Sequence, residues 1–512
     1  MNSKKMDTGS KDLISNLPDE LICHILSFLT TTEAASTSVL SKRWRNLLPF
    51  VTSLDFDDSI YDFPEMGIQR KPHFDDFVDK VLALQGNDAP LNGFSLKCSS
   101  DPSLVNGWIL KVLDRGATDL DLYVSSYEYK YTLPPQVLMS KTLVKLRVSE
   151  FTIDVGEVSL PKLKTLHMNN VAFADESGAA FAKLVSSCHV LEELVLDKMT
   201  WDFWDSCSVS NPCLKRVTIY SENVDDENPN SVSFDAPNLV SLVFSDIVAV
   251  KYPKVSFDSL VEASVGVRMR PDQVFYARDL VHQRYGYKLS EVGDATVFLM
   301  GISNVKKLYL SSQALEVLTF CCKAIPVFNN LMHLTIETDQ EVDWESTPNL
   351  LKNCPNLETL VFEGLHYGDT NQCEDDRYRF NETNICWDDD EDRCVCKPWE
   401  GTPIWLSSSP VKKLKVLKFG EISSNIDDMD KQMDLINYFV ETMPNLEEVV
   451  LYCVTPFDGY VEIVSKGFQK LEKVASTKCK IRVISDEISF SSTVYSTSPR
   501  AGLVFFKNSF PV

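Results

Sequence analysis

Apolar residues in this chain fall into two spacings, one near the N-terminus and one repeated along most of its length. Leu17, Leu21, Ile22, Ile25, Leu26 and Leu29 recur at steps of three, four and one, which places them on one wide helical stripe. Pro18 stands where a first helical residue is expected, since its missing N–H costs nothing there; Asp19 and Glu20 come next, where negative charge suits the helix dipole. Thr30 and Glu33 have capping-box spacing, so a second helix is predicted to open there and to carry Ala34, Ala35, Val39 and Leu40. Ser41 can cap a third, bearing Trp44, Leu47 and Leu48. Three helices this short cannot bury so much apolar surface among themselves, and a covering partner is implied.

Beyond the helices the spacing changes. Val51–Asp57 reads as a strand. Phe74, Phe77, Val78, Val81 and Leu82 read as a helix ending before Gly86, and Phe94–Cys98 as a strand. Trp108 to Leu113 reads as a helix and Leu120–Val124 as a strand. The pattern Leu-x-x-Leu-x-Leu, with Val, Ile, Met or Phe as substitutes, then begins at Leu143, Leu163, Leu191, Leu214 and Leu239, at intervals of 20, 28, 23 and 25 residues. It returns at Val305, Leu331 and Leu357, at intervals of 26 and 26, and again at Leu414 and Leu446. Leu315/Leu318/Phe320 fits the same template ten residues after its predecessor and is taken as part of an irregular or doubled unit. Such intervals predict stacked parallel strands, one per repeat, with a helix or turn returning along the outside. Helical returns are expected over Gly178–Cys188 and Met433–Met443. Pro237, Pro355 and Pro444, each preceding Asn-Leu, end the segments before their strands. Two stretches break the rhythm. Ser245–Met300 holds only a blurred unit at Leu260–Val267, with Arg268–Glu291 an amphipathic helix or long loop. Gly364–Gly401 is acidic, with eleven Asp/Glu against four Lys/Arg between Asp369 and Glu400.

These segments carry three family resemblances. Leu17-Pro18, the Ile25–Leu29 run and Val39-Leu40-Ser41-Lys42-Arg43-Trp44-Arg45 resemble an F-box. The strand repeats resemble a leucine-rich-repeat solenoid. Val411–Leu417, Leu435–Phe439 and Met443–Glu447 resemble the FBD domain that closes many plant F-box proteins. The implied fold is mixed α/β: a three-helix F-box, a solenoid with parallel strands on the concave face and helices and turns outside, and an FBD-type C-terminal cap. The corresponding division is a disordered tail (1–12), F-box (13–60), solenoid (61–363), acidic insertion (364–401), FBD-like repeats and cap (402–486) and an unassigned tail (487–512). Within the FBD-like part, Gly459–Lys473 is expected to be helical and Lys480–Ile484 a strand. The F-box resemblance implies docking to a Skp-type adaptor, and through it to a cullin-RING ubiquitin ligase, with the solenoid holding a target protein. On the family pattern Leu17, Pro18, Ile25, Leu26, Val39, Leu40 and Trp44 would form the apolar contact and Arg45 a polar one. The alternative is an interaction scaffold that binds the adaptor or another protein without delivering it for ubiquitination.

Composition narrows the function classes. The net charge of −23 repels nucleic-acid phosphates and anionic lipids, so neither is expected as a partner. The first 50 residues hold six Lys/Arg and five Asp/Glu, so the acidity belongs to the remainder of the chain. No apolar run is long enough to span a bilayer and the N-terminus lacks a secretory core, which points to nucleus and/or cytoplasm. The fourteen Cys, among them Cys188, Cys354 and Cys453, are expected as reduced structural thiols. His366 with Cys373, Cys386, Cys394 and Cys396 could be drawn as a zinc site, but the one-residue gap of Cys394-Val395-Cys396 is not a knuckle spacing, and no metal is expected. Asn381-Glu382-Thr383 matches a glycosylation acceptor only for a secreted chain. Metalloprotease, nucleophile-elbow and Walker motifs are absent, so no catalytic residue and no cofactor is expected.

Overall fold

The computed structural model describes residues 17–39, 41–61, 71–85, 90–125, 131–175, 177–199, 204–221, 230–271, 273–274, 277, 293–339, 347–365, 404–420, 427–453, 479–485 and 489–491. They form two compact units, one of residues 1–305 with 316–326 and one of 306–315 with 327–512.

The first unit opens with α1 (Asp19–Leu26), α2 (Thr31–Ser36) and α3 (Lys42–Leu47), then continues into a parallel sheet. Its strands are Ser53–Asp57, Gly93–Cys98, Asp119–Val124, Lys145–Ser149, Thr165–Asn169, Glu193–Asp197, Arg216–Tyr220, Ser241–Ser245 and Glu262–Val265, each paired in register with the next. The second unit repeats the arrangement with Lys307–Leu310, His333–Glu337, Thr359–Glu363, Lys413–Phe419, Glu448–Cys453 and Lys480–Ser485, and ends in an antiparallel strand, Ser489–Ser491. All ten Leu-x-x-Leu-x-Leu segments contain a strand. The blurred unit at Leu260–Val267 is a strand as well. The second and third apolar positions, as in Leu166/Met168 and Leu194/Leu196, alternate inward and are sealed in the core, while the residues between them line an open face.

Successive repeats are tied by backbone geometry. The Val144 carbonyl accepts from both Lys164 N–H (2.8 Å) and Thr165 N–H (3.1 Å), and the Lys164 carbonyl accepts likewise from Glu192 and Glu193. After the strand, Glu150, Asn170, Lys198 and Gly364 adopt φ of 69°, 46°, 50° and 78°. This left-handed turn aims each N–H at a carbonyl of the next repeat, as in Lys198 to Tyr220 (2.8 Å). In each Pro-Asn-Leu segment the Asn has a structural role beside that expected of the proline. Asn238, Asn356 and Asn445 each donate a side-chain N–H, at 2.8 Å, to the carbonyl of Pro212, Asn329 and Ser409 respectively, stapling one repeat to the one before.

The return segments are mixed. Lys71–Leu84, Pro102–Asp114, Ala179–Ser187 and Asp427–Thr442 are helices at or near the expected positions. Other returns of the first unit include the helix Thr296–Gly301 and two short parallel ladders, Tyr131–Thr132/Phe151–Ile153/Ala172–Phe173 and Cys207–Ser210/Val232–Asp235/Val255–Ser256. Gly178 starts its helix at φ 78°, and a Cβ there would meet the Ser206 carbonyl oxygen at 2.0 Å, so glycine is required twice over. Leu315/Leu318/Phe320 corrects an expectation: it lies in the helix Ser312–Phe320, where Ala314, Leu315, Val317 and Leu318, at steps of one, three and four, form the buried helical face. Most of Arg268–Glu291, the acidic stretch 366–401, Gly459–Lys473 and most of the terminal tail lie outside the described residues.

Candidate functional site

The N-terminal helices are held by their own small core. Ile22, Leu26, Ala34, Leu47, Leu48 and Val51 are buried together, with Leu17, Cys23, Leu29, Ala35 and Trp44 packed half-buried against them. Pro18 precedes the first helical residue at ψ 152°, one position earlier than expected, and α1 begins at Asp19. The capping box at α2 is complete: Glu33 N–H donates to Thr30 Oγ1 (3.3 Å) and Thr30 N–H to Glu33 Oε2 (3.0 Å). Ser41 caps α3 by accepting from Trp44 N–H at 3.3 Å. Arg43 ties α3 to α1, donating from Nε to Asp19 Oδ1 (2.8 Å) and from Nη2 to the Leu17 carbonyl. The Asp55 N–H donates to the buried Thr31 hydroxyl (2.8 Å), which seats the helices on the first strand. Burial, then Asp19 and Glu20, push the Cys23 thiol up.

The expected single stripe is divided. Ile22 and Leu26 are 0% exposed, whereas Leu21 and Ile25 on another side of α1, and Phe28 in the turn that follows it, are 50%, 43% and 76% exposed. Val39, at the end of a 3-10 turn, is 82% exposed and Phe50 64%. Of the residues expected to face a partner, Pro18, Ile25, Val39 and Arg45 lie on the surface and Leu17 and Trp44 are half-buried. Leu40 lies outside the described residues. Leu26 belongs to the internal core, because it faces α3 and Val51 rather than solvent. Leu21, Phe28 and Phe50 are exposed as well and lie outside the contact set that the family pattern implies. The available signal was that 21/25/28 and 22/26/29 are two apolar lines, one more than a helix packed on one side can bury.

The open sheet faces are polar and cross-braced. In the first unit, Lys145–Asp119 (3.5 Å), Arg147–Asp121 (3.2 Å) and Arg216–Glu193 (3.2 Å) pair across neighbouring strands, and Asn169 Nδ2 donates to Asp197 Oδ2 (2.7 Å). His167 lies among them; burial and then Arg147 hold its imidazole below the ordinary range. In the second unit a shallow groove of about 390 Å³ opens beside Lys306, Met332, Pro355, Pro410 and Lys412 at the leading ends of the strands. Burial pushes the thiols of Cys98 and Cys354 up to about 12 and that of Cys188 to about 11, so they stay protonated and pack as small apolar groups. The His366/Cys373/Cys386/Cys394/Cys396 set lies outside the described residues, and among the described residues no His/Cys/Asp/Glu group could hold a metal ion. Among them, too, no helix is long and apolar enough to cross a membrane.

A short helical unit with an uncovered apolar flank, joined to a stack of in-register parallel strands, defines the class of F-box proteins with leucine-rich repeats. Two family models agree with that division: the F-box domain over residues 14–49, and the LRR repeats of FBD-associated F-box protein At5g56370 over residues 105–259. The chain is 68% identical over 373 residues to F-box/LRR-repeat protein At3g59190 of Arabidopsis thaliana, covering 71% of this chain and 95% of the relative. It is 50% identical to F-box/LRR-repeat protein At4g14096 of the same plant, covering 95% and 98%, and 47% identical to putative F-box/LRR-repeat protein At3g59230, covering 97% and 100%. The chain belongs to the plant F-box/LRR-repeat family.

Proposed function

We propose that this protein is the substrate-receptor subunit of an SCF-type (Skp–cullin–F-box) ubiquitin ligase. Its F-box docks a Skp-type adaptor, and its repeats hold a target protein near a charged ubiquitin-conjugating enzyme. One observation carries the reading: an F-box of three short helices leaves Leu21, Ile25, Phe28 and Val39 in solvent although its own core is already filled. F-box domains generally bind Skp-type adaptors. The contact would comprise Leu17, Pro18, Ile25, Val39, Leu40, Trp44 and Arg45, extended by Leu21 and Phe28, with Leu26 supporting the surface from beneath. The subunit contributes proximity rather than an acid, base or nucleophile. A nuclear or cytoplasmic location is part of the proposal, since adaptor and cullin must be reached there. The test is co-capture of the full chain with a Skp-type adaptor. Leu17→Ala combined with Pro18→Ala should lose the adaptor while the repeats stay folded by circular dichroism; retained capture would overturn the assignment.

A further inference from the structure

The open face of the second unit is basic in a chain whose net charge is −23. Register places Lys307, His333, Thr359, Lys413, Glu448 and Lys480 in one row across its strands, and Tyr309, Thr335, Val361, Lys415, Val450 and Arg482 in the next; Thr359 and Val450 are buried, whereas Lys413 and Lys480 are exposed and Lys415 and Arg482 half-buried. Glu448 is the one carboxylate in these two rows, and it is shared: Lys413 Nζ lies 3.4 Å from it and Arg482 Nη2 also binds it. In the third row Glu363 is paired with Lys418 (3.1 Å) and Glu337 accepts from Tyr309 Oη (3.2 Å). Among the described residues no carboxylate forms an ion pair with Lys415 or Lys480. Positive potential over the face is also visible at His333, whose imidazole is held low first by burial and then by Lys307 and Lys415. The open face of the first unit contrasts with this, since Asp55, Asp57, Asp119, Asp121, Glu193, Asp197 and Glu262 outnumber Lys97, Lys145, Arg147 and Arg216 on it.

From this we infer that the open face of the second unit, centred on Lys413, Lys415, Lys480 and Arg482, docks an acidic Asp/Glu-rich segment of a target protein. The inference rests on the receptor reading for calling the partner a target. Lys413 and Lys480 in one row, and Lys415 and Arg482 in the next, stand two strands apart, about 9.6 Å, within reach of carboxylates along an extended acidic chain laid across the sheet. Nucleic acid is the poorer fit, because the acidity of the rest of the chain repels a long polyanion.

The experiment uses the full chain bound to its adaptor and a fluorescent twelve-residue Asp/Glu-rich peptide, with an Asn/Gln counterpart and a single-stranded oligonucleotide as comparisons. Anisotropy should show the acidic peptide binding at least about tenfold more tightly than the neutral one, and weakening as salt rises from about 50 to 300 mM. Lys415→Glu with Lys480→Glu should reduce that binding by at least about tenfold, while Lys415→Arg with Lys480→Arg retains it. Binding that is unchanged by charge reversal, equal for the neutral peptide, or found only for the oligonucleotide overturns the inference. Adaptor capture is read in the same samples, so failure here with capture intact leaves the ligase reading standing, and loss of capture counts against that reading instead.

Discussion

Replacing Phe28 by Ala separates docking from folding at the N-terminal helices. Phe28 is 76% exposed, and its ring meets that of His24 edge-on, centroids 4.8 Å apart. A phenylalanine offers about 200 Å² of side-chain surface, so a partner covering the exposed share removes about 150 Å² from water, an upper bound of about 4 kcal/mol at 25 cal/mol per Å². Incomplete coverage and the retained Cβ lower this to about 2–3 kcal/mol, or about 30- to 140-fold in adaptor Kd. The folded chain loses little, because the ring was never in the core. Leu26→Ala is the control in the other direction. At 0% exposure it removes core volume and costs about 2–5 kcal/mol of folding stability. Calorimetric titration with a Skp-type adaptor, paired with thermal melts of both variants, reads the two effects. Unchanged adaptor affinity for Phe28→Ala would refute the idea that the exposed flank formed by α1 and the turn after it is the contact.

The repeats supply two further predictions. Gly178→Ala must hold a left-handed backbone and push a Cβ onto the Ser206 carbonyl, with Trp204 Cε3 3.0 Å away; an expected loss of about 2–4 kcal/mol is readable by urea denaturation monitored through tryptophan fluorescence. His167 has a folded-state pKa below its ordinary 6.5, through burial and Arg147, partly opposed by Asp197, Asp121 and Glu193. The folded chain therefore binds fewer protons than the unfolded one just below that value, and stability falls as pH drops through 6.5 toward the folded-state pKa. Melts between about pH 7.5 and 5.5 should fall less steeply for His167→Gln than for the natural chain.

The periodicity of this chain determined where its strands begin and which side chains they bury, because a parallel strand sealed on one face needs apolar residues at alternate positions wherever it sits in the stack. Helix caps were equally legible: Thr30, Glu33 and Ser41 satisfy donors within three residues, so nothing distant is required. Other features became visible only when repeats met. The split of the α1 stripe into a buried Ile22/Leu26 side and an exposed Leu21/Ile25 side depends on where α3 and Val51 press against it. The Asn238, Asn356 and Asn445 staples reach carbonyls more than twenty residues away. The basic face likewise exists only because register brings Lys413, Lys415, Lys480 and Arg482 close together on strands that the sequence keeps far apart. Local periodicity decides which way a residue points; only the stacking of repeats decides whom it meets.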